Sequence, residues 1–134
     1  MATTDVLPSR RSVPLLIVLA AGHDQQPELA ATAFVYAQTA RALEQSVEVH
    51  LTGRAVRLAF EGVADHLVTD PASDTRLLQH MQRAVQIGAR IFVCSMAMAS
   101  HHRGEPLLSI VSGRSGTTSV LGKMFAEDAR VLVF

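Results

Sequence analysis

Apolar runs and stretches of helical periodicity alternate along this chain. An apolar run at 13–20 predicts a buried strand, and apolar residues at helical spacing predict a helix from 28 to about 45, with Pro27 in its first turn. The stretch 46–52 alternates valine and leucine with polar residues, which indicates a second strand. Residues 53–62 predict a short helical piece after it.

The second half of the chain continues this alternation. An apolar stripe predicts a helix over 75–87, with Asp74 as its N-terminal cap and Gly88 as its C-terminal stop. A buried strand is predicted at 89–94, and a helix at 95–102. The remaining predictions are a short element, a helix and a final strand, at 105–111, 119–129 and 130–134.

Strands that are separated by helices are typical of βαβ units. We therefore expect a single α/β domain over 13–134, a three-layer α/β/α arrangement with a mainly parallel central sheet, after a polar and disordered leader at 1–12. Arg10 and Arg11 before the first apolar run imitate a short secretory signal. The run is short and no clear cleavage site follows it, which favours the strand.

Composition narrows the classes of function. The 134 residues suffice for one domain with an ordinary core, and 12 basic residues balance 12 acidic ones, so no sequence-wide field favours nucleic acid or an anionic membrane. No later segment approaches the length of a membrane span. The single cysteine excludes an intramolecular disulfide and suits a reducing compartment. We expect a cytoplasmic protein that binds neither nucleic acid nor membrane.

Two glycine-containing stretches differ in spacing from phosphate-binding motifs. "SGRSGTTSVLGK" does not have the spacing of a P-loop, and the favoured interpretation is a flexible loop in which Thr118 or Ser119 caps the next helix. A looser anion site at that helix start is left open. "AGHDQQPE" lacks the glycines of a dinucleotide fingerprint. We therefore expect no cofactor.

Cys94 stands where a predicted strand gives way to a predicted helix. Ligands of open α/β sheets bind beyond the carboxyl ends of the strands, and the N–H groups in the first turn of a helix that begins at Ser95 would stabilise a thiolate. Free cysteine is also among the most buried residue types. The residues by themselves leave both interpretations open, a reactive thiol and a buried filler.

Three polar residues after the Cys94 segment are candidate stabilisers of a thiolate or an anionic donor: His101, His102 and Arg103. On a straight helix His101 lies about 10 Å along the axis from Cys94, which favours exposed histidines at a helix end, unless a folded-back loop or a neighbouring subunit closes the gap. Adjacent histidines diverge, so we expect no metal site. His50 has no evident partner and is interpreted as a surface or core residue.

The segment "FVCSMAM", preceded by "AVQIGA" and followed at a distance by "ARVLVF", resembles the DsrE/DsrF-like family of small sulfur-relay proteins. The resemblance also includes "LLIVLAAG" and "SVEVHLTGRAV". It implies a layered α/β subunit that assembles into homo-oligomers, as trimers or hexamers, and it implies that Cys94 accepts sulfane sulfur as a persulfide. Some relatives use a second cysteine, which this chain lacks.

Two functions follow as hypotheses. In the first, Cys94 takes sulfur from a sulfane donor and passes it to a thiol of a partner protein, as a sulfurtransferase or a sulfur carrier, with Ser95, Arg90, His101, His102 or Arg103 stabilising charge. In the second, the chain is a non-catalytic oligomeric binding or scaffold subunit in which Cys94 only packs.

Overall fold

The computed structural model describes residues 12–22 and 24–134. The leader predicted at 1–12 therefore lies outside the described residues except for Ser12. The strands of the main sheet are β1 (Leu15–Leu19), β2 (Val47–Leu51), β5 (Arg90–Cys94), β6 (Val111–Ser115) and β7 (Arg130–Val133), and β3 (Val68–Asp70) and β4 (Thr75–Arg76) form a small hairpin. The α-helices are α1 (Pro27–Ala42), α2 (Leu77–Gln86), α3 (Ser95–His101) and α4 (Thr117–Glu127), and two 3₁₀ segments are Gly53–Ala59 and Ala64–His66.

The main sheet has five strands in the order β6-β5-β2-β1-β7, and every neighbouring pair is parallel. Parallel pairing needs a crossover between strands, which the helices supply. The sheet confirms the predicted α/β class with a mainly parallel central sheet. The carboxyl ends of β1, β2, β5 and β6 lie at one edge, where the loops that follow them come together.

One face of the sheet forms the hydrophobic core. Alternate residues of β1, β2 and β5 are fully buried there against α1 and α2, which also pack on each other. Small alanines in α1 let that helix approach the strands closely, and Phe34 and Met81 fill the space between the layers. This layer holds the sheet rigid beneath the site described below.

The other face of the sheet is covered by α4. This helix has no buried residue of its own, and Lys123 ties it to the sheet by an ion pair with Glu48 of β2. Helices on both faces complete the predicted three layers. Several large apolar side chains stay exposed, including Phe125 of α4 at 83% and Val133 of β7 at 70%.

Some predicted boundaries are wrong. Helix α2 begins at Leu77 rather than at Thr75, and Asp74 does not cap it, because Asp74 has φ +53° and its carboxylate accepts hydrogen bonds from the Arg76 guanidinium. Gly88, with φ +106°, does end the helical turn as predicted.

The stretch predicted as a flexible loop contains most of strand β6 and the first seven residues of α4. Gly116 is the N-terminal cap residue of α4, so neither Thr118 nor Ser119 caps it. The short element predicted at 105–111 is a single antiparallel bridge between Phe60 and Leu107.

Candidate functional site

Cys94 is the last residue of β5, and α3 begins at the next residue, Ser95. The sulfur lies in a cleft of about 170 Å³ at the carboxyl edge of the sheet, which we call the Cys94 cleft. Cys94 is half-buried, so its side chain is held by the fold while the cleft leaves it accessible. This position is the edge at which open α/β sheets bind ligands.

Hydrogen bonds to the sulfur lower the pKa of the Cys94 thiol below its ordinary value. The strongest contribution comes from the backbone N–H of Ala97, which outweighs the opposing effect of burial, and the Thr52 hydroxyl and the backbone N–H of Met96 add to it. The N–H groups of Met96 and Ala97 donate to the sulfur because the chain turns into α3 directly after Cys94, which aims the free N–H groups of the first turn at it. Thr52 approaches from the end of the neighbouring strand β2. The arrangement favours the thiolate, the nucleophilic form of cysteine.

The other predicted site residues lie in different places. Ser95 is exposed at the start of α3, and the His101 carbonyl accepts a hydrogen bond of 3.0 Å from Arg57. The His102 ring stacks on Phe60 at 5.1 Å. Arg103 is exposed. In the part of the chain that the structure describes, none of these four side chains lines the Cys94 cleft, and their role near a thiolate stays a prediction.

A cluster of polar residues that was not predicted from the sequence lies at the base of the Cys94 cleft. His50, only 4% exposed, lines the cleft together with Ser115. The His50 Nδ1 atom lies 2.8 Å from the Ser115 hydroxyl, and its Nε2 atom lies 2.9 Å from the Glu48 carboxylate. Ser115 is the register partner of Cys94 across β5 and β6. The polar pair Glu48 and His50, two residues apart on a strand between apolar residues, was the signal in the sequence.

Two cations neutralise the buried Glu48 carboxylate. Arg90 donates to it at 2.7 Å, and Lys123 of α4 forms an ion pair with the same oxygen. Burial raises the pKa of Glu48, but hydrogen bonds from Lys123 and His50 outweigh it and leave the pKa below the ordinary value. Burial lowers the pKa of His50, and together with the charges of Lys123 and Arg90 it outweighs the raising effect of Glu48. Glu48 is therefore charged and His50 neutral near pH 7.

The described residues contain no group of three or more histidine, cysteine, aspartate or glutamate side chains that could hold a metal ion. His23 lies outside the described residues. No helix in 12–22 and 24–134 is both long enough and apolar enough to span a membrane.

Solved structures with the same fold come from bacteria and an archaeon. The ychN protein from E. coli matches with a TM-score of 0.69 and 14% identity, covering 92% of this chain and 100% of its own. Protein MTH1491 from Methanobacterium thermoautotrophicum, of unknown function, matches with a TM-score of 0.60 and 15% identity, over 92% of this chain and 100% of its own.

A third structure, the conserved protein of unknown function BT1422 from Bacteroides thetaiotaomicron, matches with a TM-score of 0.58 and 14% identity, over 90% of this chain and 94% of its own. At these identities the likeness shows the fold alone. No curated protein sequence matches the chain. The DsrE/DsrF-like family, however, matches residues 15–134, which is nearly the whole domain. The chain therefore belongs to the DsrE/DsrF-like family.

Proposed function

We propose that this protein relays sulfur: Cys94 accepts sulfane sulfur, holds it as a persulfide and passes it to the thiol of a partner protein. The observation that carries the proposal is the accessible sulfur of Cys94 in its cleft, where the N–H groups of Ala97 and Met96 and the Thr52 hydroxyl favour the thiolate. Membership of the DsrE/DsrF-like family supports a role in sulfur relay.

The transfer is a nucleophilic displacement without net oxidation. The Cys94 thiolate attacks the outer sulfur of a donor persulfide, R–S–SH, and forms a new S–S bond while the R–S to sulfur bond breaks. The electron pair of the broken bond leaves on RS⁻, which takes a proton to become RSH. The second half-reaction repeats the displacement, with an acceptor thiolate attacking the outer sulfur of the Cys94 persulfide.

The Cys94 cleft favours a persulfide over thiosulfate as donor. Of the described residues that line it, several are apolar, including Val18, Leu51 and Val120, and none carries a permanent charge. Arg90 and Lys123 are both paired with Glu48. A thiosulfate dianion would find no free counter-charge in the cleft, so the proposed donors are protein persulfides or small neutral and weakly charged persulfides.

We also propose that the subunit forms a homo-oligomer, a trimer or hexamer. The large apolar side chains of Phe125, Val133 and Met96 are 83%, 70% and 82% exposed. Exposed apolar surface is typical of sites that contact another protein chain. Sulfur donors and acceptors would then be further partners of the assembled protein. The single cysteine suits a reducing compartment, which supports a cytoplasmic location.

Intact mass spectrometry tests the relay. The wild type and the Cys94→Ser variant are incubated with glutathione persulfide and measured with and without a reductant, and wild type alkylated beforehand at Cys94 serves as the matched control. We expect the wild type to gain one sulfur atom that a reductant removes, and both controls to gain none. A wild type that gains no sulfur, with slow alkylation of Cys94 in the folded state, would instead support a scaffold subunit with a structural cysteine.

A further inference from the structure

The proposed sulfur transfer gives no role to the buried side chain of His50. His50 is 4% exposed and sits on the central strand β2, where an apolar residue would pack without the cost of burying a polar ring. Its two ring nitrogens are both satisfied, one by Ser115 and one by Glu48. The resulting chain of hydrogen bonds begins at Ser115, which shares the cleft wall with Cys94, and ends at a carboxylate.

The charges around Ser115, His50 and Glu48 determine which group donates and which accepts in each of their hydrogen bonds. Glu48 is a carboxylate that pairs with Arg90 and Lys123, so it can only accept hydrogen bonds. The His50 Nε2 atom must therefore carry a proton, which it donates to Glu48. In neutral histidine the other nitrogen, Nδ1, is then an acceptor. The Ser115 hydroxyl therefore donates to Nδ1, and its oxygen lone pairs are free to accept a proton from the cleft.

We propose that Ser115 and His50 form a proton relay for Cys94, removing the thiol proton before attack on the donor sulfur and returning it to the leaving thiolate. This inference rests on the proposed function and adds to it the positioning residues that handle the proton. Cys94 and Ser115 are register partners at the ends of adjacent strands, and both line the same small cleft. Register partners on adjacent parallel strands project to the same face of the sheet, so the Ser115 and Cys94 side chains are neighbours.

The steps balance as a proton shuttle. Ser115 Oγ accepts the proton of Cys94 as its own proton passes to His50 Nδ1, which leaves a Cys94 thiolate and an imidazolium. The thiolate bonds to the outer sulfur of R–S–SH, the bond between the two donor sulfurs breaks, and RS⁻ departs with the electron pair. The imidazolium returns its proton through Ser115 to RS⁻, so that the products are the Cys94 persulfide, RSH and neutral His50.

Glu48 makes the charged intermediate of this shuttle accessible. A buried imidazolium is costly, and the carboxylate 2.9 Å from Nε2 stabilises it. Arg90 and Lys123, the cations that face this cluster from β5 and α4, limit that stabilisation and keep His50 neutral at rest. Cys94, whose pKa is already lowered, needs only modest help to lose its proton.

Two disulfides that differ in the basicity of their leaving group test the relay independently of persulfide chemistry. Bis(2-hydroxyethyl) disulfide releases a basic alkyl thiolate that needs a proton, whereas an aromatic disulfide releases a weakly basic thiolate that needs none. The supply of Cys94 thiolate affects both rates equally, so their ratio reports proton delivery alone. At neutral pH we expect the alkyl-to-aromatic rate ratio to fall roughly 100-fold in Ser115→Ala and in His50→Gln.

Conservative and matched variants separate the relay from a structural role. Ser115→Thr keeps the hydroxyl and should stay within a few-fold of the wild type. Ser112→Ala, at an exposed serine of the same strand, and His80→Gln, at a half-buried histidine of α2, should leave the ratio unchanged. In the wild type the ratio should fall as the pH rises and the shared proton is lost, while in Ser115→Ala it should stay low and flat.

Three results would overturn the relay. The first is a rate ratio that is unchanged in Ser115→Ala. The second is an equal fall of both rates in Ser115→Ala that is also seen in Ser115→Thr. The third is a wild type that reacts with neither disulfide. A wild type that shows the expected ratios but gains no sulfur from glutathione persulfide would overturn the proposed function and leave the relay standing. Sulfur loading of the wild type, together with a rate ratio that no variant changes, would support the proposed function and overturn the proton relay.

Discussion

The ion pair between Lys123 and Glu48 is the main polar attachment of α4, so replacing the lysine by methionine should destabilise the fold measurably. Methionine keeps most of the aliphatic stem and removes only the ammonium group. Glu48 is 3% exposed and Lys123 27%, so the pair lies largely out of water. Leaving a buried carboxylate without any partner would cost about 3–5 kcal/mol, but Arg90 and His50 still hold Glu48 in the variant.

One charged hydrogen bond is therefore lost, which is worth about 1.5–3 kcal/mol. We expect the free energy of unfolding of Lys123→Met to fall by about 2 kcal/mol, roughly a 30-fold change in the unfolding equilibrium. Arg90→Met is the matched comparison, because Arg90 is 54% exposed and pairs with the same oxygen. Its cost should be at most about 1 kcal/mol.

Urea denaturation followed by circular dichroism measures both costs, at one fixed protein concentration because the proposed oligomer would link stability to concentration. The pKa of Glu48 is lower in the folded state than its ordinary value of 4.5. Its contribution to stability is therefore complete above that value and is lost as the pH falls through the folded-state pKa. The difference between the wild type and Lys123→Met should accordingly shrink in acid. An equal cost for the two variants, or a difference that acid leaves unchanged, would refute this reasoning.

Three further predictions concern the thiol, a partly buried ion pair and the core. Thr52→Val removes a hydroxyl that donates to the sulfur, so the pKa of Cys94 should rise and the midpoint of its alkylation rate against pH should move to higher pH. Glu105, whose pKa the Arg57 guanidinium lowers to about 2, stabilises the fold above its ordinary pKa of 4.5, so Glu105→Gln should reduce the melting temperature at neutral pH but not near pH 2. Met81→Ala leaves a cavity at a fully buried position and should lower the free energy of unfolding by about 2–5 kcal/mol in urea denaturation.

The sequence was sufficient to predict the Cys94 position because local signals define it. The buried run that forms β5 is strongly apolar, and the small residues after it favour a helix, so the junction at Cys94 follows from residues next to one another. The parallel sheet followed in the same way from the alternation of strands and helices. Each of these predictions depends on spacing within about ten residues.

Strand β6 could not be predicted in this way. It carries two serines, an arginine and Gly113 among five residues, and its partner is β5, on one side only. Phe92 of β5 lies against Gly113, at 4.0 Å from where a Cβ would stand, so tertiary packing selects this weak strand sequence. Propensity had no means of detecting that contact.

The cluster around His50 was missed for a related reason. Its hydrogen-bond partner Ser115 is 65 residues away along the chain, and Lys123 is 75 residues away from Glu48. Only the strand order brings them together. The N–H groups in the first turn of α3 act on Cys94 as predicted, and the groups that bond to the sulfur are Ala97, Met96 and Thr52 rather than a histidine. Arg57 binds the His101 carbonyl, and the His102 ring stacks on Phe60.

The central claim is that Cys94 carries sulfur between two thiols, and the direct measurement is a single-turnover transfer. Wild-type protein is loaded with isotopically labelled glutathione persulfide, freed of donor by gel filtration and mixed with a small acceptor thiol, while intact masses of protein and acceptor are followed together. We predict that the protein loses one labelled sulfur atom as the acceptor gains it, and that Cys94→Ser carries none. Label that stays on the protein, or that loads equally on Cys94→Ser, would contradict the account.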